Sequence, residues 1–130
     1  MNLLLDLEIL GWLLTGLGGL QLLPAGFAWL SGEAPGPHLL SAAVAAAFGL
    51  PLALSTRGGD RRLRTRDAFV VVSGVWGLAS VFGALPYVFS GLLPLADAFF
   101  EAASGFTTTG STVLADVESV PRSLLLWRAL

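Results

Sequence analysis

Residues 9–30 of this 130-residue chain include no charged side chain. As a helix rising 1.5 Å per residue, such a run is about 33 Å long, enough to cross a hydrocarbon layer of about 30 Å. Apolar runs at 38–54 and 68–89 follow it. A soluble core of this size could not cover three such runs. In lipid every backbone N–H and C=O must be paired within the protein, which makes each run a helix. Composition agrees, with 12% charged residues against roughly 25% in an ordinary soluble domain. A cleaved leader has a basic head and a shorter apolar stretch, whereas Asp6 and Glu8 stand at the head of this chain.

The punctuation between the runs sets an expected topology. Trp12 and Trp29 lie near the two ends of the first run, where interfacial aromatics are expected. Pro24 is expected to kink the first span, and Gly16, Gly18 and Gly19 offer a surface for close helix contact. Residues 31–37, Ser-Gly-Glu-Ala-Pro-Gly-Pro, are dense in turn formers and read as a loop. The second run, 38–54, holds Gly49 and Pro51 and is just long enough to span. Residues 55–67 then carry Arg57, Arg61, Arg62, Arg64 and Arg66, five of the chain's seven basic residues. Beside apolar spans such a cluster marks the cytoplasmic side, with some contact to anionic lipid headgroups. That puts the amino terminus in the cytoplasm and the 31–37 loop outside. In the third run Ser73, Gly77, Ala79, Ser80, Gly83 and Ala84 form small-xxx-small pairs, and Trp76, away from both interfaces, is expected to pack on another helix.

Several functions are excluded early. Without cysteine there is no disulfide framework, thiolate metal site or cysteine nucleophile. His38 is the sole histidine, which disfavours a histidine metal centre or triad. A net charge of -2 argues for no particular partner, and the arginine cluster, flanked by membrane runs and containing two aspartates, is not a nucleic-acid surface. Asp97 and Glu101 sit one helical turn apart, as paired carboxylates of an enzyme could. No nucleophile or metal set accompanies them, so the chain is read as a non-enzyme without cofactor.

The segment after the third run is different. Residues 94–105 as a helix would be roughly 18 Å long, about half the hydrocarbon thickness, so this helix cannot cross. Pro94 suits its first turn, Asp97 favours the positive pole, and Gly105 suits the far end. Its negative pole would point toward the midplane, where it favours a cation. Thr107, Thr108, Thr109 and Gly110 follow. Irregular backbone at membrane depth must be buried in protein or line a watery cavity. Threonine offers only oxygen acceptors to a hard cation, and glycine admits positive φ and leaves no side chain in the path. Rings of backbone carbonyls that replace a hydration shell are how potassium filters work. Glu101, at membrane depth, is expected to accept hydrogen bonds from loop amides behind such a filter in preference to contacting the ion. An ordinary polar loop in a membrane structural or assembly protein is the alternative, and labelling of Ser111 separates the two.

The string from Asp97 through Glu101 and Gly105 to Thr107-Thr108-Thr109-Gly110-Ser111-Thr112-Val113-Leu114, and then Pro121 to Arg128, resembles the first pore loop and following helix start of the TrkH/KtrB potassium transporters, most closely the TrkH branch. The two runs before the basic loop resemble that branch's extra amino-terminal helix pair. The resemblance implies four repeats around one pore, with Thr107, Thr108, Thr109 and Gly110 giving one of four filter strands through backbone carbonyls. It places potassium, the transported ion, at Thr108, Thr109 and Gly110, with Glu101 and Ser111 as filter support. It also implies a bacterial inner-membrane location, a homodimer, and a cytoplasmic nucleotide-binding regulatory subunit of the TrkA kind. The expected fold is all-α and integral to the membrane: three transmembrane helices, a re-entrant pore helix with its filter loop, and the start of a fourth transmembrane helix. The expected divisions are 1–56 for the helix pair, 57–67 for the basic cytoplasmic loop, and 68–130 for the first repeat, cut short in its second helix. With one strand of four, the chain reads as a fragment or truncated gene.

Overall fold

The computed structural model describes residues 2–58 and 60–130. Among these the elements are all helical: α1 (Leu3–Leu20), α2 (Leu22–Leu30), α3 (Gly36–Ser55), α4 (Thr65–Phe89), α5 (Leu95–Phe106), a 3-10 turn (Val117–Ser119) and α6 (Arg122–Ala129). Three units are long and apolar enough to cross a membrane: Leu3–Leu30, Gly36–Ser55 and Thr65–Phe89.

Each unit starts earlier than the apolar runs alone suggest. The first begins at Leu3 and takes in the acidic head, because the Asn2 side chain accepts from the Leu5 amide at 3.4 Å and Asp6 falls in the first turn. A side-chain oxygen and a carboxylate are what a helix start favours. The break lies at Gln21, three residues before Pro24. Proline has no N–H for the carbonyl four residues back and its ring crowds that carbonyl. α4 begins at Thr65, inside the expected 57–67 loop. Asp67 accounts for this: it accepts from the Arg64 amide at 3.1 Å, and also from the Asn2 amide at 3.1 Å, which ties the starts of α1 and α4 together.

Glycines decide how closely α1 and α3 pack. A Cβ on Gly11 would stand 2.5 Å from the Ala53 nitrogen, and one on Gly49 would stand 2.7 Å from the Gly11 oxygen. Of the three glycines expected at a helix contact, only Gly18 serves, against the Ala42 carbonyl; Gly16 and Gly19 face open space. Trp76, expected to pack on another helix, instead faces outward in this chain and is 45% exposed. Trp12 holds the Arg57 guanidinium over its ring at 5.1 Å, a cation–π contact at the arginine-rich end.

The core that positions the rest lies where α4, α5 and α6 meet α1. It comprises Leu17, Ala84, Tyr87, Ala98, Ala102, Val120, Leu124 and Trp127. Buried alanines on α4 and α5 let those helices approach closely. α5 doubles back along α4, so that its last residue, Phe106, lies against Gly83. Gly83 is six residues before the end of α4, about 9 Å along its axis. α5 therefore stops alongside the interior of a membrane-length helix.

Candidate functional site

α5 is amphipathic, with Ala98, Glu101, Ala102 and Ser104 buried. Pro94 stands just before it, at the N-cap, in extended conformation, and its carbonyl accepts from Ala98. At the far end Gly105 is not the terminator. The helix runs on through Phe106, and the residue that leaves it is Thr108, with φ 55. The Thr108 amide donates to the Gly105 carbonyl at 3.2 Å and the Thr109 amide to the Ser104 carbonyl at 3.0 Å. This pair of bonds is the Schellman closure, whose left-handed position usually belongs to glycine. A β-branched residue there is a backbone outlier. Thr107 reinforces the closure: its hydroxyl bonds the Ala103 carbonyl at 2.7 Å and lies 2.8 Å from the Thr109 hydroxyl.

Gly110 is the second left-handed residue, with φ 78 and open space where a Cβ would stand. Left-handed backbone thus occurs at 108 and again at 110. In a regular strand successive peptide planes alternate, throwing carbonyls to opposite sides. Reversing the sign of φ at every second residue breaks that alternation. Thr107, Thr108, Thr109, Gly110 and Ser111 are all exposed, and Thr108 and Gly110 border a cavity of about 230 Å³ whose other walls are Ser104 and Gly105 of α5 and Leu125, Arg128 and Ala129 at the end of the chain.

The segment is tied down from the side of α5 and α6. The Ser104 hydroxyl donates to the Ser111 carbonyl at 2.6 Å, so Ser111 is held through its backbone. Glu101 is buried and accepts from the Thr112 hydroxyl at 2.9 Å, the Val113 amide at 3.1 Å and the Arg128 Nε at 2.5 Å. The Thr112 hydroxyl in turn accepts from the Leu114 amide at 3.0 Å. One carboxylate thereby fixes the returning chain and the end of α6. Charge-assisted bonds of this kind are about twice as strong as neutral ones. Asp97, by contrast, is exposed, and Glu101 is committed to protein donors, so the two acids are not assembled as a pair.

Sequence reasoning missed Ser104 and Thr112. Ser104 lies three residues after Glu101, on the same face of α5, and that spacing was the available signal. Arg128 reads from sequence only as an arginine at depth in need of a partner or water, and Glu101 is its partner. Trp127 also joins α6 to this region: its Nε1 donates to the Gly83 carbonyl at 3.0 Å, and its ring meets Phe106 edge-on at 6.2 Å.

Comparison with known proteins places the chain in a group. The family model described as "TrkH: Cation transport protein" matches residues 39–130. The chain is 34% identical over 126 residues to the Trk system potassium uptake protein TrkH of Salmonella typhimurium, covering 95% of this chain and 26% of that protein. It is 44% identical over 77 residues to the Trk system potassium uptake protein TrkG of Escherichia coli, covering 58% of this chain and 16% of that protein. The crystal structure of the potassium transporter TrkH from Vibrio parahaemolyticus superposes with a TM-score of 0.90 at 29% identity, over 98% of this chain and 28% of that one. The chain thus spans about a quarter, or less, of the length of these relatives.

Proposed function

The chain belongs to the TrkH family of cation transport proteins, and we propose that it is the amino-terminal part of a bacterial potassium uptake protein, supplying one of four strands of a carbonyl-lined filter. The strand is Thr107, Thr108, Thr109 and Gly110, and potassium sits against the carbonyls of Thr108, Thr109 and Gly110. The observation that carries this is the pair of left-handed residues, Thr108 and Gly110. Together with the intervening Thr109 they form a segment whose carbonyls are free to face one side, as a ring of carbonyls about an ion requires. α5 serves as the re-entrant pore helix. The carbonyls of Ala103, Ser104 and Gly105 are closed by the amides of Thr107, Thr109 and Thr108, and the helix favours the ion through its dipole. Glu101 and, through its carbonyl, Ser111 support the strand from behind.

The arginine-rich segment lies in the cytoplasm, the amino terminus with it, and the 31–37 connection outside. The full-length protein is a homodimer in the inner membrane and works with a cytoplasmic TrkA-like nucleotide-binding subunit; transport, not catalysis, is its activity. The test is Gly110→Asp in the full-length protein. A side chain at a left-handed position is strained, and a carboxylate there stands in the ion's path. Potassium uptake or selectivity is lost while membrane insertion stays normal; selective uptake at the unaltered rate would sink the filter assignment.

A further inference from the structure

α6 has no cap of its own. Its N-cap is Pro121, whose side chain offers no acceptor, yet the first amides of any helix need partners outside it. They find one in Glu33, on the connection between α2 and α3. Its Oε1 accepts from the Arg122 amide at 2.8 Å and its Oε2 from the Ser123 amide at 3.0 Å, across separations of 89 and 90 residues. A carboxylate bridging two amides at the positive pole of a helix is favoured by charge as well as by geometry. α2 packs against α6 as well, so the helix pair that precedes the repeat grips the start of the repeat's second helix.

That grip reaches the filter by a short route. Trp127 and Arg128 lie five and six residues after Arg122, about 8 to 9 Å along the axis. Trp127 is bonded to the Gly83 carbonyl beside Phe106, and Arg128 meets Glu101. Glu101 in turn holds Thr112 and Val113 behind the strand. A slide of α6 by one residue, about 1.5 Å, would exceed what a hydrogen bond between Arg128 and Glu101 tolerates. We propose that Glu33 is a positioning residue for the filter: it sets the height of α6, hence where Arg128 meets Glu101, and so how the strand is backed. The amino-terminal helix pair is then a brace for the pore. This rests on the filter reading of Thr107 to Gly110.

The test uses the full-length transporter in cells lacking other potassium uptake, with rubidium uptake measured per inserted molecule, alone and against sodium. Glu33→Ala lowers maximal uptake and the preference for rubidium by roughly two- to thirtyfold, the range that coupling through packed elements takes. Glu33→Asp, which keeps the carboxylate, recovers part of both. In an Arg128→Gln background Glu33→Ala adds little, because both changes act on one contact. Three results each overturn the proposal: unaltered uptake and preference in Glu33→Ala, a fall in uptake that only tracks inserted protein with preference intact, or a full multiplicative effect in the Arg128→Gln background. Failure here is separable from failure of the filter reading. If Gly110→Asp silences transport while Glu33→Ala is normal, only the role of Glu33 falls; if Gly110→Asp transports normally, the filter itself does.

Discussion

Gly83→Ala perturbs the site from outside it. The new methyl would lie 2.5 Å from Phe106 Cε2, 3.0 Å from Phe106 Cζ and 3.6 Å from the Ala102 Cβ. The first distance is about an ångström short of ordinary carbon contact at 3.5 to 4.0 Å, so the ring must move. It is confined on another side by Trp127, edge-on at 6.2 Å, and its backbone is the last turn of α5, immediately before Thr107. Overpacking of this kind costs about 1–3 kcal/mol, and here part of the displacement passes into the strand. The assay is thermal unfolding of the purified full-length protein beside rubidium uptake: Gly83→Ala lowers the midpoint and weakens ion discrimination. Adding Phe106→Leu, which removes the clashing ring atoms, restores much of the midpoint. A normal midpoint in Gly83→Ala, or a double variant no better than the single one, would refute the claim that Gly83 exists to admit Phe106.

Two further outcomes are expected. Gly11→Val drives a side chain into the backbone of α3, where even a Cβ meets the Ala53 nitrogen at 2.5 Å, whereas Gly16→Val points into open space; thermal unfolding should show a loss of about 3 kcal/mol or more for the first, toward the upper end of overpacking costs, and little for the second. For Glu33, burial pushes the carboxyl upward, but the Ser123 and Arg122 amides outweigh it and hold the group below the ordinary glutamate range. A carboxyl lowered on folding contributes stability that is complete above its unfolded value, about 4.3, and is lost as pH falls through the lowered folded value. Unfolding midpoints followed as pH falls through that window should therefore fall less steeply for Glu33→Gln than for the unaltered protein.

What was legible in the sequence, and what was not, divides along the range of the forces involved. The three membrane-length helices follow from run length, since lipid leaves a long apolar segment no other option. The short helix before the threonines was legible to within a residue at each end. Its terminator was not: Gly105 suits a helix end by propensity, yet the closure runs through Thr108, because the Thr108 and Thr109 amides and the Thr107 hydroxyl all find acceptors back in the last turn, at Gly105, Ser104 and Ala103. Local statistics put glycine at a left-handed cap, so a threonine there is invisible until the bonds are seen. Trp76 shows the converse limit. Its place in the middle of a run says it is far from both interfaces, but not which face of the helix it occupies, and it lies outward. The contacts of Glu33 with Arg122 and of Gly11 with Gly49 join residues far apart in the chain, and no periodicity encodes them.

The strained threonine gives a reason why helix end and strand belong to one unit. A left-handed β-branched residue costs about 1–2 kcal/mol. Around Thr108 the two closure bonds, the Thr107 hydroxyl bond and the Ser104 bond to the Ser111 carbonyl together offset that cost at about 0.5–1.5 kcal/mol each. Remove α5 and Thr108 loses the acceptors that hold its backbone; straighten Thr108 and the carbonyls of Ser104 and Gly105 lose their donors. The buried Glu101 and Ser104 side chains hold the returning chain, while residues 107–111 stay exposed. A segment held by α5 and the end of the chain, with its polar backbone otherwise exposed, is suited to being completed by equivalent segments around a shared axis, as the proposed four-strand filter requires.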